Sequence, residues 1–130
     1  MLRKEEKENY KLLKMSKRIQ RVNTLIAKEL GKIFLRDIDF PDGVLVTITR
    51  VETSSNLIHS KVYISVMPEK KREDILRILN KIIFGLQQKI NRRLRMRPIP
   101  KINFEIEKTT KGAARVEELL EEIKNKEKEG

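Results

Sequence analysis

The chain has 130 residues, a formal charge of +11 and an isoelectric point near 10.0. That length suits one domain, and so one-sided a charge points to a polyanionic partner, either nucleic acid or an acidic membrane surface. There is no cysteine and a single histidine, His59, which excludes disulfides, thiolate chemistry, cysteine-ligated zinc and multi-histidine metal sites.

Residues 1–15 read as a charged N-terminal arm without the apolar stretch of a signal peptide. No apolar run approaches the roughly 20 residues of a membrane span, so a cytoplasmic location without a membrane partner is expected. From Ser16, a plausible N-cap, a helical pattern begins. Ile19, Val22, Ile26, Leu30 and Ile33 recur at three- and four-residue spacing and form one apolar stripe. The stripe fades near Asp37, and Pro41-Asp42-Gly43 reads as a turn. Asp37, Asp39 and Asp42 lack the spacing of a calcium loop.

Period-two alternation follows. Val44, Val46 and Ile48 face one way, and Leu45, Thr47 and Thr49 the other. After the turn residues 53–56, a second strand places Val62, Ile64 and Val66 on one face, which predicts an antiparallel hairpin. Pro68 and Glu69 open the next helix, whose stripe is Ile75, Leu79, Ile82 and Ile83, continued by Leu86, Ile90 and Leu94. Gly85 between the two halves predicts a break or kink, and Pro98 and Pro100 end the helical run. A third strand points Ile102, Phe104 and Ile106 inward. Thr109 to Gly112 read as a loop, and a last helix from Ala113 presents Val116, Leu119, Leu120 and Ile123. Residues 124–130 read as a frayed tail.

The order is α-β-β-α-α-β-α, an α+β domain over residues 16–123 with a three-stranded sheet packed against helices. This order is similar to the type II K-homology arrangement. Arg18-Ile19-Gln20-Arg21-Val22, the hairpin run from Val46-Thr47-Ile48-Thr49-Arg50-Val51-Glu52-Thr53-Ser54 through Asn56-Leu57 to Lys61-Val62-Tyr63-Ile64-Ser65, and Arg92-Arg93-Leu94-Arg95-Met96-Arg97 with Pro100, Phe104 and Leu119-Leu120 resemble the ribosome-binding factor A family. That family's Ala-Xaa-Gly kink would fall on Ile82, Ile83 and Phe84, whereas the glycine here is Gly85. Its Gly-Xaa-Arg appears as Ala113-Ala114-Arg115. The resemblance implies a monomeric, non-catalytic assembly factor that binds the small ribosomal subunit and its precursors. It also implies contact with small-subunit ribosomal RNA, support for late maturation of the RNA 5′ region and growth in the cold, with no cofactor.

The charge is concentrated in two segments of net +7 each, residues 1–36 and 69–100. Lys89, Arg92, Arg93, Arg95 and Arg97 are the foremost candidates for RNA contact, because no acid lies among them and arginine forks match phosphate. On a helix, Lys89, Arg92, Arg93 and Arg97 lie along one side. Lys17, Arg18 and Arg21 form a second ridge, extended by Lys14 and Lys28. Lys70, Lys71 and Arg72 lie beside Glu69, Glu73 and Asp74, which points to mutual neutralisation. There is no Gly-Xaa-Xaa-Gly loop, so the usual K-homology grip on backbone phosphate is missing. Phe34, Phe84 and Phe104 read as core, Tyr63 as a cross-strand packing residue, His59 as a surface histidine, and Glu117, Glu118, Glu121 and Glu122 as a solvated face. A DNA-binding module and a protein-interaction adaptor remain alternatives, with an enzyme a distant third for want of a phosphate loop or catalytic set.

Overall fold

The computed structural model describes residues 3–108, apart from the side chain of Leu12. The expected last helix and the tail therefore lie outside the described residues.

Helix α1 runs Lys4–Asp37, 34 residues and about 50 Å at 1.5 Å per residue. Ser16 lies inside it and caps nothing, which corrects the expected start. The stretch before Ser16 has no glycine or proline, is rich in Lys, Glu and Leu, and carries Glu5 and Glu6 in its first turn, where a helix favours acids. Helix formation therefore propagates through the arm. The C-terminal part of α1 buries Val22, Ile26, Leu30, Ile33 and Phe34, whereas the side chains described before Ile19 are exposed.

Strands β1 (Leu45–Thr53) and β2 (His59–Met67) form the antiparallel hairpin. Its loop is closed by side chains: Ser54 Oγ donates to Asn56 Oδ1 at 2.6 Å, and that oxygen also accepts from the Ile58 N–H at 3.1 Å. A register shift between Ile48 and Arg50 makes Thr49 the extra residue of a bulge. The bulge reverses the alternation, so Val46 and Ile48 face inward before it and Val51 after it. Buried Ser60 is satisfied by Thr53 at 2.7 Å, and Thr53 also donates to Asn23 of α1 at 2.6 Å, tying the hairpin to the helix.

A short 3-10 turn (Glu69–Lys71) leads into α2 (Arg72–Arg93), and β3 (Lys101–Ile106) then pairs parallel to β2. Sheet order is β1-β2-β3; α1 lies over β1, and α2 mainly over β3. Two expected helices are thus one, because α2 passes through Gly85 unbroken. A glycine inside a helix costs only about 1 kcal/mol relative to alanine. Ile75 and Leu79 before it, and Leu86 and Ile90 after it, are all buried on one face and hold both halves to the sheet.

The helix also ends sooner than the prolines require, with Leu94 as C-cap in extended conformation. Leaving the helix turns Leu94 into the core, while its N–H still bonds to the Ile90 carbonyl at 2.9 Å. Phe34 and Phe104 are core, their ring centroids 6.0 Å apart, but Phe84 is 74% exposed, contrary to expectation. Its spacing from Ile82, Ile83 and Leu86 placed it in an apolar run, yet it falls on the side of α2 opposite the buried stripe.

Candidate nucleic-acid interface

The end of α2 and the linker after it hold the foremost candidates. Residues 94–100 descend from α2 to β3 with Leu94 and Pro100 buried, Met96 and Ile99 half-buried, and Arg95 and Arg97 exposed. From Leu94, itself in extended conformation, to Arg97 the side chains alternate between inward and exposed, and the chain then bends at Arg97 and Pro98. Gln87 fastens this linker to α2. Its Nε2 donates to the Pro100 carbonyl at 3.1 Å, and its Oε1 accepts from the Ile102 N–H at 2.8 Å. Arg95 and Arg97 are therefore displayed by an anchored strap. This corrects the expected placement of Arg97 along the helical ridge.

The five cations divide into two groups. Lys89 Nζ lies 2.9 Å from Asp37 Oδ2, and Arg93 Nη1 lies 3.5 Å from Glu29 Oε2, so both engage α1. The Lys89 hydrogen bond, helped by the charges of Lys89, Arg93 and Arg36, holds the Asp37 carboxyl below its ordinary value despite an opposing desolvation effect. Arg92, Arg95 and Arg97 are exposed and have no carboxylate partner among the described residues. Solvent-screened pairs such as those of Lys89 and Arg93 contribute little to stability, so phosphate can compete with their carboxylates.

The second ridge is exposed as well. Lys17, Arg18 and Arg21 lie on α1 with no ion pair among the described residues. The Lys89–Asp37 and Arg93–Glu29 contacts run in opposite sense along the two helices. The basic end of α2 therefore advances from the C-terminus of α1 toward its middle, in the direction of Lys28 and Arg21.

Other sequence readings are settled by contacts. Arg72 reaches Glu69 at 3.3 Å and Lys71 reaches Asp74 at 3.8 Å, so that basic run is locally neutralised. Tyr63 packs across the hairpin with the Arg50 guanidinium 3.8 Å from its ring centroid. Arg50 is also held by Glu52 and by Glu107, whose Oε2 is 2.7 Å from Arg50 Nε and accepts from Thr49 Oγ1 at 3.0 Å. This network raises the Arg50 guanidinium above its ordinary value, chiefly through the Glu107 hydrogen bond. Sequence reasoning missed it, because Glu107 is 57 residues from Arg50 and its alternation said only that it points out.

His59 is exposed at the start of β2. Among the described residues no group of three or more His, Asp or Glu is placed to hold a metal ion, and no helix is long and apolar enough to cross a membrane.

Among the described residues, a three-stranded mixed sheet under two helices, with a cationic strap leading into its parallel strand, defines a small K-homology-like α+β domain. The family model described as Ribosome-binding factor A matches residues 18–120. Ribosome-binding factor A of Coprothermobacter proteolyticus is 37% identical over 109 residues, covering 84% of this chain and 80% of that protein. The chain belongs to the ribosome-binding factor A family. Among solved structures, the solution NMR structure of a Thermotoga maritima protein described as a ribosome binding factor A aligns with a TM-score of 0.53 at 25% identity, covering 73% of this chain and 89% of that one. A homology model of Thermus thermophilus ribosome binding factor A, as fitted into the cryo-EM map of a 30S complex with that factor, aligns with a TM-score of 0.51 at 25% identity, covering 67% of this chain and 88% of that one.

Proposed function

We propose that this chain is a cytoplasmic, monomeric assembly factor that binds the small ribosomal subunit and its precursors and catalyses no reaction. It touches ribosomal RNA through phosphate contacts from Arg92, Arg95 and Arg97, joined by Lys89 and Arg93 as their carboxylates are exchanged for phosphate, with Lys17, Arg18 and Arg21 as a second set. Its action supports late maturation of the RNA 5′ region and growth in the cold. Within a family of ribosome-binding factors, the carrying observation is the anchored strap that holds exposed arginines without carboxylates from the described residues. Contacts of this type give affinity with steep salt dependence and little sequence reading.

Co-sedimentation with small subunits and their precursors across a salt series tests this. The expected result is saturable binding that weakens steeply with salt and is not competed by duplex DNA. Salt-independent binding, or equal preference for naked duplex DNA, overturns the reading.

A further inference from the structure

From Ile75 to Arg97 the chain has seven cations and no acid. On α2 these do not all face one way. At 100° per residue, Arg77, Lys81, Phe84, Gln88 and Arg92 fall within a sector of about 80°. The sector lies opposite the buried stripe of Ile75, Leu79, Leu86 and Ile90, and all five side chains are exposed. Phe84 stands in this outer face at 74% exposure. Gly85 beside it adds no side chain, and a Cβ built there meets nothing within 4 Å. Arg77 is engaged by Asp74 at 2.6 Å, while Lys81 and Arg92 have no ion pair among the described residues.

We propose that Phe84 is a stacking anchor for an unpaired RNA base, with Lys81 and Arg92 on the flanking phosphates and the Gln88 amide within reach of the base or sugar. The inference rests on the reading of the chain as RNA-binding and adds a site that phosphate tracking alone does not need. The composition of the face chooses the occupant. A protein-binding patch requires a cluster of apolar side chains that shed water together, with a polar rim. Here one ring stands among cations and an amide, which suits a partner with a flat π-face and a charged backbone. A duplex hides its base faces, so the occupant is an unpaired nucleotide.

The chain has no tryptophan, so Phe84→Trp places a single indole on this face of the full-length protein. Its fluorescence is read against a mixed-sequence single-stranded RNA oligonucleotide, the same oligonucleotide in a duplex, and small ribosomal subunits. Co-sedimentation with subunits compares the wild type, Phe84→Ala and Phe84→Tyr. The expected results are quenching by the single strand and by subunits but not by the duplex, a loss of affinity of about tenfold in Phe84→Ala on the scale of one base stack, and near wild-type affinity in Phe84→Tyr. The salt slope should stay unchanged in Phe84→Ala. Because the position is exposed on a helix, alanine there does not threaten folding.

Subunit affinity of Phe84→Ala within twofold of wild type overturns the proposal. So does a loss of subunit binding without RNA quenching of the indole, which assigns the ring to a protein surface. If the wild type fails to pellet with subunits while single-stranded RNA still quenches the indole, the functional reading falls and the stacking site stands.

Discussion

Arg50 and Arg92 show how differently one fold uses the same side chain. Arg50 lies over Tyr63, pairs with Glu52, and is held by a Glu107 carboxylate whose side chain is only 5% exposed. Arg92, like Arg95 and Arg97, reaches solvent with no carboxylate among the described residues. The first arginine joins β1 to the residue just past β3 and belongs to the stability of the domain. The other three form no ion pair among the described residues, yet the strap carrying Arg95 and Arg97 is held at its far end, where Gln87 donates to the Pro100 carbonyl and accepts from the Ile102 N–H of β3. Holding the end of the strap limits where Arg95 and Arg97 can point, as the proposed phosphate contacts require.

The comparison breaks most sharply under charge reversal. Arg92, Arg95 and Arg97 together changed to Glu should lower affinity for small subunits by about 100-fold or more and reduce the salt slope by about three, since each lost phosphate contact removes close to one released counterion. The free energy of chemical unfolding should change by no more than about 0.5 kcal/mol, as expected of surface substitutions. Co-sedimentation and urea unfolding of the same preparations check both halves. A large stability loss with little change in affinity would return these arginines to the Arg50 class.

Glu107→Ala supplies the converse. It strips Thr49 of its carboxylate, leaves Arg50 with Glu52, and should destabilise the domain by about 1.5–3 kcal/mol, the range for hydrogen bonds to charged groups. Arg50 is 35% exposed, so water screens part of the loss and the lower end of the range is expected. Affinity for subunits, extrapolated to fully folded protein, should remain within about twofold, as befits a network separate from the proposed phosphate contacts. Equal damage to affinity would mean that the outer face of the sheet also meets the partner.

The sequence disclosed the frame of the molecule because the frame is periodic. The stripe of Val22, Ile26, Leu30 and Ile33 and the alternations of Val62, Ile64 and Val66 and of Ile102 and Phe104 each emerge buried. What escaped was decided by contacts distant in sequence. Gly85 signalled a break by local propensity, but tertiary burial on both sides of it carries the helix through. Phe84 counted as core from hydrophobicity, although its angular position puts it outside. Lys89, Arg92, Arg93 and Arg97 read as one ridge because sequence cannot show that Asp37 and Glu29 of α1 reach across to Lys89 and Arg93. Nor could it show that Leu94 leaves the helix and hands Arg95 and Arg97 to the linker that descends to β3.

Lys89 stands between the two kinds of cation, and acid titration tells which kind it is. Its hydrogen bond lowers the Asp37 carboxyl below the ordinary 3.8. The unfolded chain therefore binds the proton more readily than the folded one in that window, and stability rises with pH across it. The contribution of the pair is fully present above the ordinary value and is lost as pH falls through the lowered one. Asp37→Asn never has it. Unfolding midpoints of the two proteins should thus differ by a small constant amount above about pH 5 and converge below 3.8. At neutral pH the same substitution frees Lys89 and should steepen the salt slope of subunit binding by at most about one. If the midpoints coincide at every pH and the slope still does not change, the Asp37 contact neither stabilises the fold nor withholds the cation. Lys89 then joins Arg92, Arg95 and Arg97 in facing the partner, and the division between structural and displayed cations lies wholly between the sheet and the end of α2.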